Sequence, residues 1–255
     1  MALHKHAYPI LEYDTEQKAI LMPDRKKLYN LPEKCVFALL GGYVDDYARE
    51  HNGIKIAEFD TVTKLFHIHK IEYKGHEICI CHVPLGASAA TQLLDFIISY
   101  GAKKIISCGS CGALHDFEEN CIMVPTAALR GEGTSYHYLP PAREIQLNST
   151  AVNAIRTAIE KNGLPFKTCK TWTTDGFYRE TKDLVAYRKE EGCDVVEMEC
   201  AALAACAEFR GAVFGQILFT ADTLAVPEAH DDRDWGGASH AAAFSLALDS
   251  VIAIP

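Results

Sequence analysis

The sequence predicts an α/β fold: a single three-layer domain with a mostly parallel or mixed central sheet flanked by helices. Short apolar runs rich in valine and isoleucine alternate with longer amphipathic stretches, which is the strand–helix alternation of this class. Several runs are apolar at consecutive positions, as strands buried on both faces are. The 255 residues are 49% hydrophobic, enough for one sizeable core. We therefore expect residues 1–255 to form one domain, with residues 1–34 as its N-terminal extension.

The elements can be assigned in chain order. Six strands are predicted, at residues 35–42, 77–83, 103–109, 121–129, 194–199 and 213–222. Four helices are predicted, at residues 88–101, 148–163, 200–211 and 237–254. In the first helix Leu93, Phe96 and Ile97 recur at helical spacing, and the glycine at 101 is a good stop. The longest stretch without periodicity is 130–147, and long loops in compact domains are often functional.

Composition excludes several classes of function. The net charge is −9, and we find no dense basic patch, so we expect neither nucleic acid nor an anionic membrane as a partner. No segment reaches the ~20 apolar residues of a membrane helix. The N-terminal sequence MALHKHAYPILEYD lacks the apolar core of a signal peptide, so a cytoplasmic location is expected. The ten cysteines are interpreted as reduced, mostly buried thiols.

The segment IISCGSCGAL contains a C-x-x-C, Cys108 to Cys111. With Cys79 and Cys81 this pair could supply four zinc ligands, but both pairs lie in or beside apolar strand sequence and not in knuckle turns. A redox pair would start a helix, and no helical run follows Cys111. These cysteines therefore predict neither a zinc site nor a redox pair.

The glycines of this segment suggest a different function. We expect the strand to end near Ser107, so that Gly109 and Gly112 let the backbone turn and approach a ligand. The hydroxyl of Ser110 would then lie at the carboxyl end of a central strand, where open α/β sheets bind ligands. A tight turn without a ligand is the alternative.

Acidic residues follow two more of the predicted strands. Glu197 and Glu199, in VVEMECAAL, lie where apolar residues would be expected, and buried glutamates cost free energy unless they bind something. Helix capping is the alternative and explains one acid better than two. Asp222 ends the strand in LFTADTL, where partial desolvation would raise its pKa and suit a general acid. An N-cap role is its alternative.

These motifs resemble those of the nucleoside phosphorylase superfamily, which holds purine nucleoside phosphorylases, uridine phosphorylases and methylthioadenosine/adenosylhomocysteine nucleosidases. The resemblance covers about residues 35–235 and rests on the glycine–serine segment, on Val196-Glu197-Met198-Glu199 with its alanine-rich helix, and on Thr220-Ala221-Asp222, in the family's order. The stretch RGEGTSYHYLPP also looks like a phosphorylase loop.

The resemblance implies a role for each matching residue. Ribose would be held by Glu199, Met198, Ser110 and an N-terminal histidine, His6 or His4, that reaches a neighbouring subunit's sugar. The base would be bound by Phe177, Cys111, Gly112, Val196 and Asp222, of which Asp222 protonates or hydrogen-bonds N7 of a leaving purine. The catalytic residues would be Asp222 and Glu199. Uridine phosphorylases carry a Gln-x-Arg whose counterparts here are Thr181 and Asp183, so a purine nucleoside is favoured. The resemblance also implies a homodimer or a hexamer of dimers, and it implies no metal and no organic cofactor.

The chain departs from the family at the phosphate site. Where two phosphate-binding arginines are expected it has Asp45 or Asp46, in LLGGYVDDYARE, and Ser107. A third, from the partner subunit, corresponds to Lys64. Hydrogen bonds to charged groups contribute about 1.5–3 kcal/mol each, so losing two weakens phosphate binding by about two orders of magnitude or more.

Several functions stay open at this stage. A phosphorylase with an atypical phosphate site would use inorganic phosphate as co-substrate, bound at Ser110, Gly42 and Lys64, with Arg130 or Arg179 as further candidates. A hydrolytic nucleosidase would activate water with Asp45, Asp46 or Glu197. The chain could also have the pyrimidine specificity of a uridine phosphorylase, or bind a nucleoside without catalysing its cleavage.

Overall fold

The computed structural model describes residues 3–26, 28–225, 231 and 233–255. The strands of the described residues are β1 (Lys34–Leu39), β2 (Ile54–Asp60), β3 (Leu65–Tyr73), β4 (His76–His82), β5 (Lys104–Ala113), β6 (Ile122–Gly131), β7 (Glu144–Gln146), β8 (Lys167–Thr174), β9 (Val195–Glu197) and β10 (Val213–Thr223). The α-helices are α1 (Tyr43–Glu50), α2 (Ala87–Ser99), α3 (Ser149–Lys161), α4 (Lys182–Glu190), α5 (Cys200–Phe209) and α6 (His240–Ala253).

The strands form one mixed sheet in the order β10-β6-β8-β9-β5-β1-β4-β3-β2, and β7 pairs with β6. Strand β5 is central: it pairs in parallel with β1 and β10, and its carboxyl end pairs antiparallel with β9. Because β10 also pairs with β6, the strands β5, β10, β6, β8 and β9 close into a ring. The carboxyl ends of β5 and β10 therefore lie side by side, next to β9.

Helices cover this sheet, with α2 packed against α5 and α3 packed against α6. The main core consists of apolar residues of β1, β4 and β5 together with those of the covering helices. The single α/β domain with a mixed, helix-flanked sheet confirms the predicted fold class. Within the described ranges, none of the helices combines the length and apolar character needed to cross a bilayer.

The six predicted strands and four predicted helices are all present. Their boundaries follow local chemistry: α3 begins where Asn148 Oδ1 accepts the backbone N–H of Thr150 and Ala151, at 3.0 and 3.3 Å. Sequence patterns did not predict α1, β2, β3, β7, β8 and α4. Strands β2 and β3 could not be predicted because charged residues and histidines interrupt their apolar positions. They are the two outermost strands on one side of the sheet, where polar residues are tolerated.

The predicted turn at Gly109–Gly112 is wrong. Strand β5 does not end near Ser107 but continues to Ala113. Gly109 is paired with both Leu39 of β1 and Leu218 of β10, and these neighbours hold the glycines in extended conformation. Ser110 lies within the strand instead of in a turn beyond it.

The cysteines are all free thiols. Cys108 packs in the main core, whereas Cys111 belongs to a separate apolar cluster with Cys169. Burial raises the pKa of the Cys111 thiol well above its ordinary value, so this side chain stays protonated and behaves as a small hydrophobe.

The stretch 130–147 is ordered around one arginine. It contains a 3₁₀-helix, Thr134–His137, and strand β7. The buried guanidinium of Arg130 donates to Ser135 Oγ at 2.8 Å and to the carbonyl oxygens of Pro140 and Leu139 at 2.7 and 3.2 Å. This arginine therefore organises its own loop.

Candidate active site

A cavity of about 520 Å³ opens where the carboxyl ends of β5 and β10 meet β9. The sequence-predicted residues that line it are Ser110, Cys111, Gly112, Phe177, Val196, Met198, Glu199 and Asp222. Glu197, Gln216 and Glu180 are also in its wall. A cavity of this size matches the usual range of small-molecule sites.

The two glutamates of this cavity have different environments. Glu197 accepts hydrogen bonds from Thr173 Oγ1 at 2.6 Å and from the backbone N–H groups of Glu199 and Cys200 at 2.7 and 2.6 Å. It thus caps α5 from inside the sheet, and its hydrogen-bonding capacity is directed at the protein. The capping alternative holds for this acid.

Glu199 begins α5 and is 4% exposed. Its Oε1 accepts the backbone N–H of Gly86 at 2.6 Å. Gly86 has a φ of +94°, a backbone conformation that suits glycine and aims its N–H at the carboxylate. Burial, followed by the negative charge of Glu197, raises the pKa of Glu199 to about 8. A ligand that donates hydrogen bonds to Glu199 would stabilise its ionised form.

Asp222 also lines the cavity, and its carboxyl group is closely packed. Asp222 lies in β10 beside Gly112 of β5 and is 7% exposed. A Cβ atom at position 112 would lie 3.2 Å from Asp222 Oδ1, 3.0 Å from Val196 Cγ1 and 2.8 Å from Leu224 Cδ1. Only glycine lets the β5 backbone approach this carboxyl group so closely.

A second carboxyl group accompanies Asp222. Glu180 follows the 3₁₀-helix Phe177–Arg179 and lines the same cavity. Burial, followed by the charge of Asp222, raises the pKa of Glu180 to about 7. Glu180 can therefore exchange a proton with a ligand near neutral pH.

Aromatic side chains form the outer wall. The Phe177 ring lies 5.0 Å from that of Tyr178 and 6.2 Å from that of Trp235, measured between centroids. Phe177 remains 40% exposed, so a planar ligand can stack on it.

A smaller cavity of about 350 Å³ adjoins the first and shares Leu39 and Leu85 with it. Lys64, Gly41 and His82 line it, and Lys64 Nζ lies 3.4 Å from His82 Nδ1. Gly42, the predicted phosphate or water residue, is the N-cap of α1 next to this lining. The positively charged side chain of Lys64 thus lies beside the main cavity.

Ser107 is fully buried and does not line the main cavity. In the sheet it is paired with Gln216, which does. Among the described residues, neither Ser107 Oγ nor Gln216 Oε1 has a hydrogen-bond partner. At the position where a phosphate-binding arginine is expected, this chain therefore has a short, buried serine, which is paired with Gln216 of the cavity wall.

The remaining candidates lie elsewhere in the chain. His6 is exposed in the N-terminal extension, where its ring accepts the N–H of Tyr8, and it does not line the cavity. Asp45 and Asp46 are in the first turn of α1, and Arg179 is exposed.

Sequence reasoning missed Glu180, Gln216 and Trp235. Gln216 had a usable signal, a polar residue within the apolar run VFGQILF. Glu180 lies in a polar segment, GFYRET, where nothing local distinguishes a lining acid from a solvated one.

Comparison with known proteins decides the family. The sequence pattern of the phosphorylase superfamily matches residues 34–253. The chain belongs to the phosphorylase superfamily. Among curated members, guanosine phosphorylase of Halorubrum lacusprofundi is 28% identical over 146 residues, 57% of this chain and 61% of that protein. A DeoD-type purine nucleoside phosphorylase of Exiguobacterium sp. is 30% identical over 141 residues, 51% of this chain and 56% of that protein. The match thus spans about three fifths of the length of these curated relatives.

Three solved structures share the fold of this chain. Uridine phosphorylase from Vibrio fischeri superposes with a TM-score of 0.74 at 20% identity, covering 88% of this chain and 92% of that one. Purine nucleoside phosphorylase from Toxoplasma gondii, in complex with immucillin-H, gives 0.73 at 19%, covering 90% and 94%. AMP nucleosidase from Bacteroides thetaiotaomicron gives 0.70 at 20%, covering 87% and 88%. Both phosphorylases and a nucleosidase therefore share this fold.

Proposed function

We propose that this protein cleaves the N-glycosidic bond of a purine nucleoside, by phosphorolysis with an atypical phosphate site. The observation that carries the proposal is the cavity itself, in which the buried carboxyl groups of Glu199 and Asp222 line one chamber beneath the ring of Phe177. Membership of the superfamily supports the reaction class, and the two acids are the groups proposed to catalyse the reaction.

On the sugar side, Glu199 accepts hydrogen bonds from the ribose hydroxyls while Met198 packs on the ring. Breaking the glycosidic bond builds positive charge on the sugar, as in glycoside hydrolysis. A carboxylate that holds the 2′-hydroxyl stabilises this charge more in the transition state than in the ground state. The Gly86 N–H fixes the carboxylate in position.

On the base side, the purine stacks on Phe177 and Asp222 donates a proton or hydrogen bond to N7. The electron pair of the broken C1′–N9 bond moves onto the base, which then leaves. Glu180, beside Asp222, accepts hydrogen bonds from donor groups of the base in its ionised form. Purine specificity also agrees with the curated relatives named above.

The incoming nucleophile is phosphate in this proposal. Lys64 and Gly41 line a cavity that adjoins the main one, and a lysine there attracts an anion. Ser110, in β5, lines the main cavity and could contact the same phosphate.

Hydrolysis is the second candidate. It is favoured by Ser107 and the acids Asp45 and Asp46, which stand where phosphate-binding arginines are expected. Water would then attack C1′, and free ribose would be the product.

The deciding experiment measures base release from inosine, guanosine, adenosine, AMP and uridine, with and without phosphate, and identifies the sugar product. Ribose 1-phosphate formed only with phosphate supports phosphorolysis. Free ribose at an unchanged rate without phosphate establishes the nucleosidase. Nucleoside binding without any base release would leave only a binding protein.

A Lys64→Met variant tests the phosphate site within this experiment. We expect a KM for phosphate raised at least about tenfold, with the KM for nucleoside unchanged, because one charge-assisted contact is lost. Lys70→Met is the matched control, since Lys70 pairs with Glu77 on the surface.

The proposal extends to assembly and location. By analogy with the superfamily, we propose a cytoplasmic homodimer or hexamer of dimers in which His6 reaches the partner's sugar site. Sedimentation of the full chain, with and without residues 1–8, tests the assembly.

A further inference from the structure

A cluster of possible metal ligands lies outside the main cavity. His67 and His69 are two residues apart in β3, so their side chains project from the same face of the strand. Asp45, in the first turn of α1, faces them. One ligand atom from each of these three residues lies within 4.8 Å of the others.

Two atoms of this cluster make no hydrogen bond among the described residues. They are Asp45 Oδ1 and His69 Nδ1, both shielded from solvent and 3.9 Å apart. This distance is too long for a hydrogen bond. Shielded polar atoms are normally satisfied, and a cation held by both would satisfy them together.

The geometry suits a small divalent ion. Tetrahedral zinc with ligand bonds of about 2.0–2.2 Å separates its ligand atoms by about 3.3–3.6 Å. The 3.9 Å between Asp45 and His69 differs from this by a few tenths of an ångström, and the ligand atoms of all three residues lie within 4.8 Å of one another. His67 and Asp45 are 39% and 40% exposed, which leaves an entry path and room for water as a further ligand.

We propose that Asp45, His67 and His69 bind a divalent transition-metal ion of the zinc class. Two imidazoles and one carboxylate favour zinc, nickel or cobalt over magnesium and calcium, which prefer all-oxygen sites. Glu58 Oε1 lies 3.9 Å from His67 Nε2 and adds a further negative charge beside the cluster. The ion would tie the beginning of α1 to β3, the strand next to the edge strand β2. This inference does not depend on the proposed function.

The test uses the full chain after removal of metal by a chelator. Zinc binding is measured by competition with a chromogenic zinc indicator, and cobalt is added as a spectroscopic probe. We expect one zinc per chain, a rise in Tm with zinc but not with the same concentration of magnesium, and visible cobalt bands from nitrogen and oxygen ligands.

His69→Ala and His67→Ala should each weaken zinc binding at least about tenfold, since even outer-shell changes cost about 10–100-fold. Because His69 is only 14% exposed and its variant could misfold, the more exposed His67 provides an independent test. Asp46→Asn and His76→Ala are the matched controls, a neighbouring acid that pairs with Arg49 and an exposed histidine of β4. Both should keep wild-type affinity.

Two results would overturn the assignment. One is zinc affinity unchanged in the His67→Ala/His69→Ala double variant. The second is an intense sulfur-to-cobalt absorption band, which would assign the metal to cysteine thiolates.

Discussion

Replacing Glu199 by glutamine removes the carboxyl group that a ligand donating hydrogen bonds would stabilise in its ionised form, and it preserves the shape of the side chain. The amide oxygen can still accept the Gly86 N–H now bonded at 2.6 Å, so the start of α5 keeps its anchor. What is lost is the charged acceptor for the ribose hydroxyls. Hydrogen bonds to charged groups contribute about 1.5–3 kcal/mol, and a net loss of about 2–3 kcal/mol lowers kcat/KM about 30- to 150-fold.

Stability separates this effect from misfolding. The pKa of Glu199 is raised to about 8, so the folded protein holds a proton that the unfolded chain releases near its ordinary pKa of 4.5. The contribution of Glu199 to the free energy of unfolding therefore falls as the pH rises from about 4.5 to 8. Glutamine does not ionise, so we expect Glu199→Gln to equal or exceed the wild-type Tm at about pH 9.

The assay is steady-state cleavage of the best nucleoside at several pH values, with thermal melts of each sample. Glu208→Gln, an exposed change on the same helix, is the control and should leave both quantities unaltered. A Glu199→Gln variant with wild-type kcat/KM would refute the role of this carboxylate.

Three further changes probe the base side of the cavity. Asp222→Asn should lower kcat on purine nucleosides about 10²–10⁴-fold but spare a riboside whose leaving group needs no proton, and equal losses on both substrates would argue against general acid catalysis. Glu180→Gln should remove an inflection near pH 7 from the kcat/KM profile, because the pKa of Glu180 is about 7. It should also flatten the decline of Tm between about pH 4.5 and 7, over which the folded wild type retains a proton that the unfolded chain loses; an unchanged profile would place the inflection on another group. Gly112→Ala should cost about 1–3 kcal/mol of stability and most activity, because its Cβ would meet Val196 Cγ1 at 3.0 Å, whereas Gly133→Ala has only contacts of 3.7 Å or more and should be tolerated.

Much of the fold could be predicted because a buried segment has a recognisable pattern of apolar residues in its own sequence. The apolar runs that became β1, β5 and β10 are buried on both faces, and consecutive apolar residues report this directly. Strand β3, next to the edge strand β2, mixes polar and apolar residues, so its burial is harder to predict from the sequence.

The amino-acid order alone shows which polar residues are exceptional. Three acids lie in apolar stretches of the sequence, namely Glu197, Glu199 and Asp222. Their positions near the ends of strands can be predicted without a structure. Their roles depend on tertiary contacts. Glu197 accepts backbone N–H groups at the start of α5, whereas Glu199 accepts the Gly86 N–H and is the acid proposed to hold ribose.

Contacts between distant segments were beyond sequence reasoning. Glu180 meets Asp222, and Asp45 meets His69, only because the sheet places separate elements side by side. Likewise, Gly109 to Gly112 stay in a strand because β1 and β10 flank them, although the same glycines alone would favour a turn. Local patterns record how deeply a segment is buried, whereas the register and order of the strands decide which side chains meet.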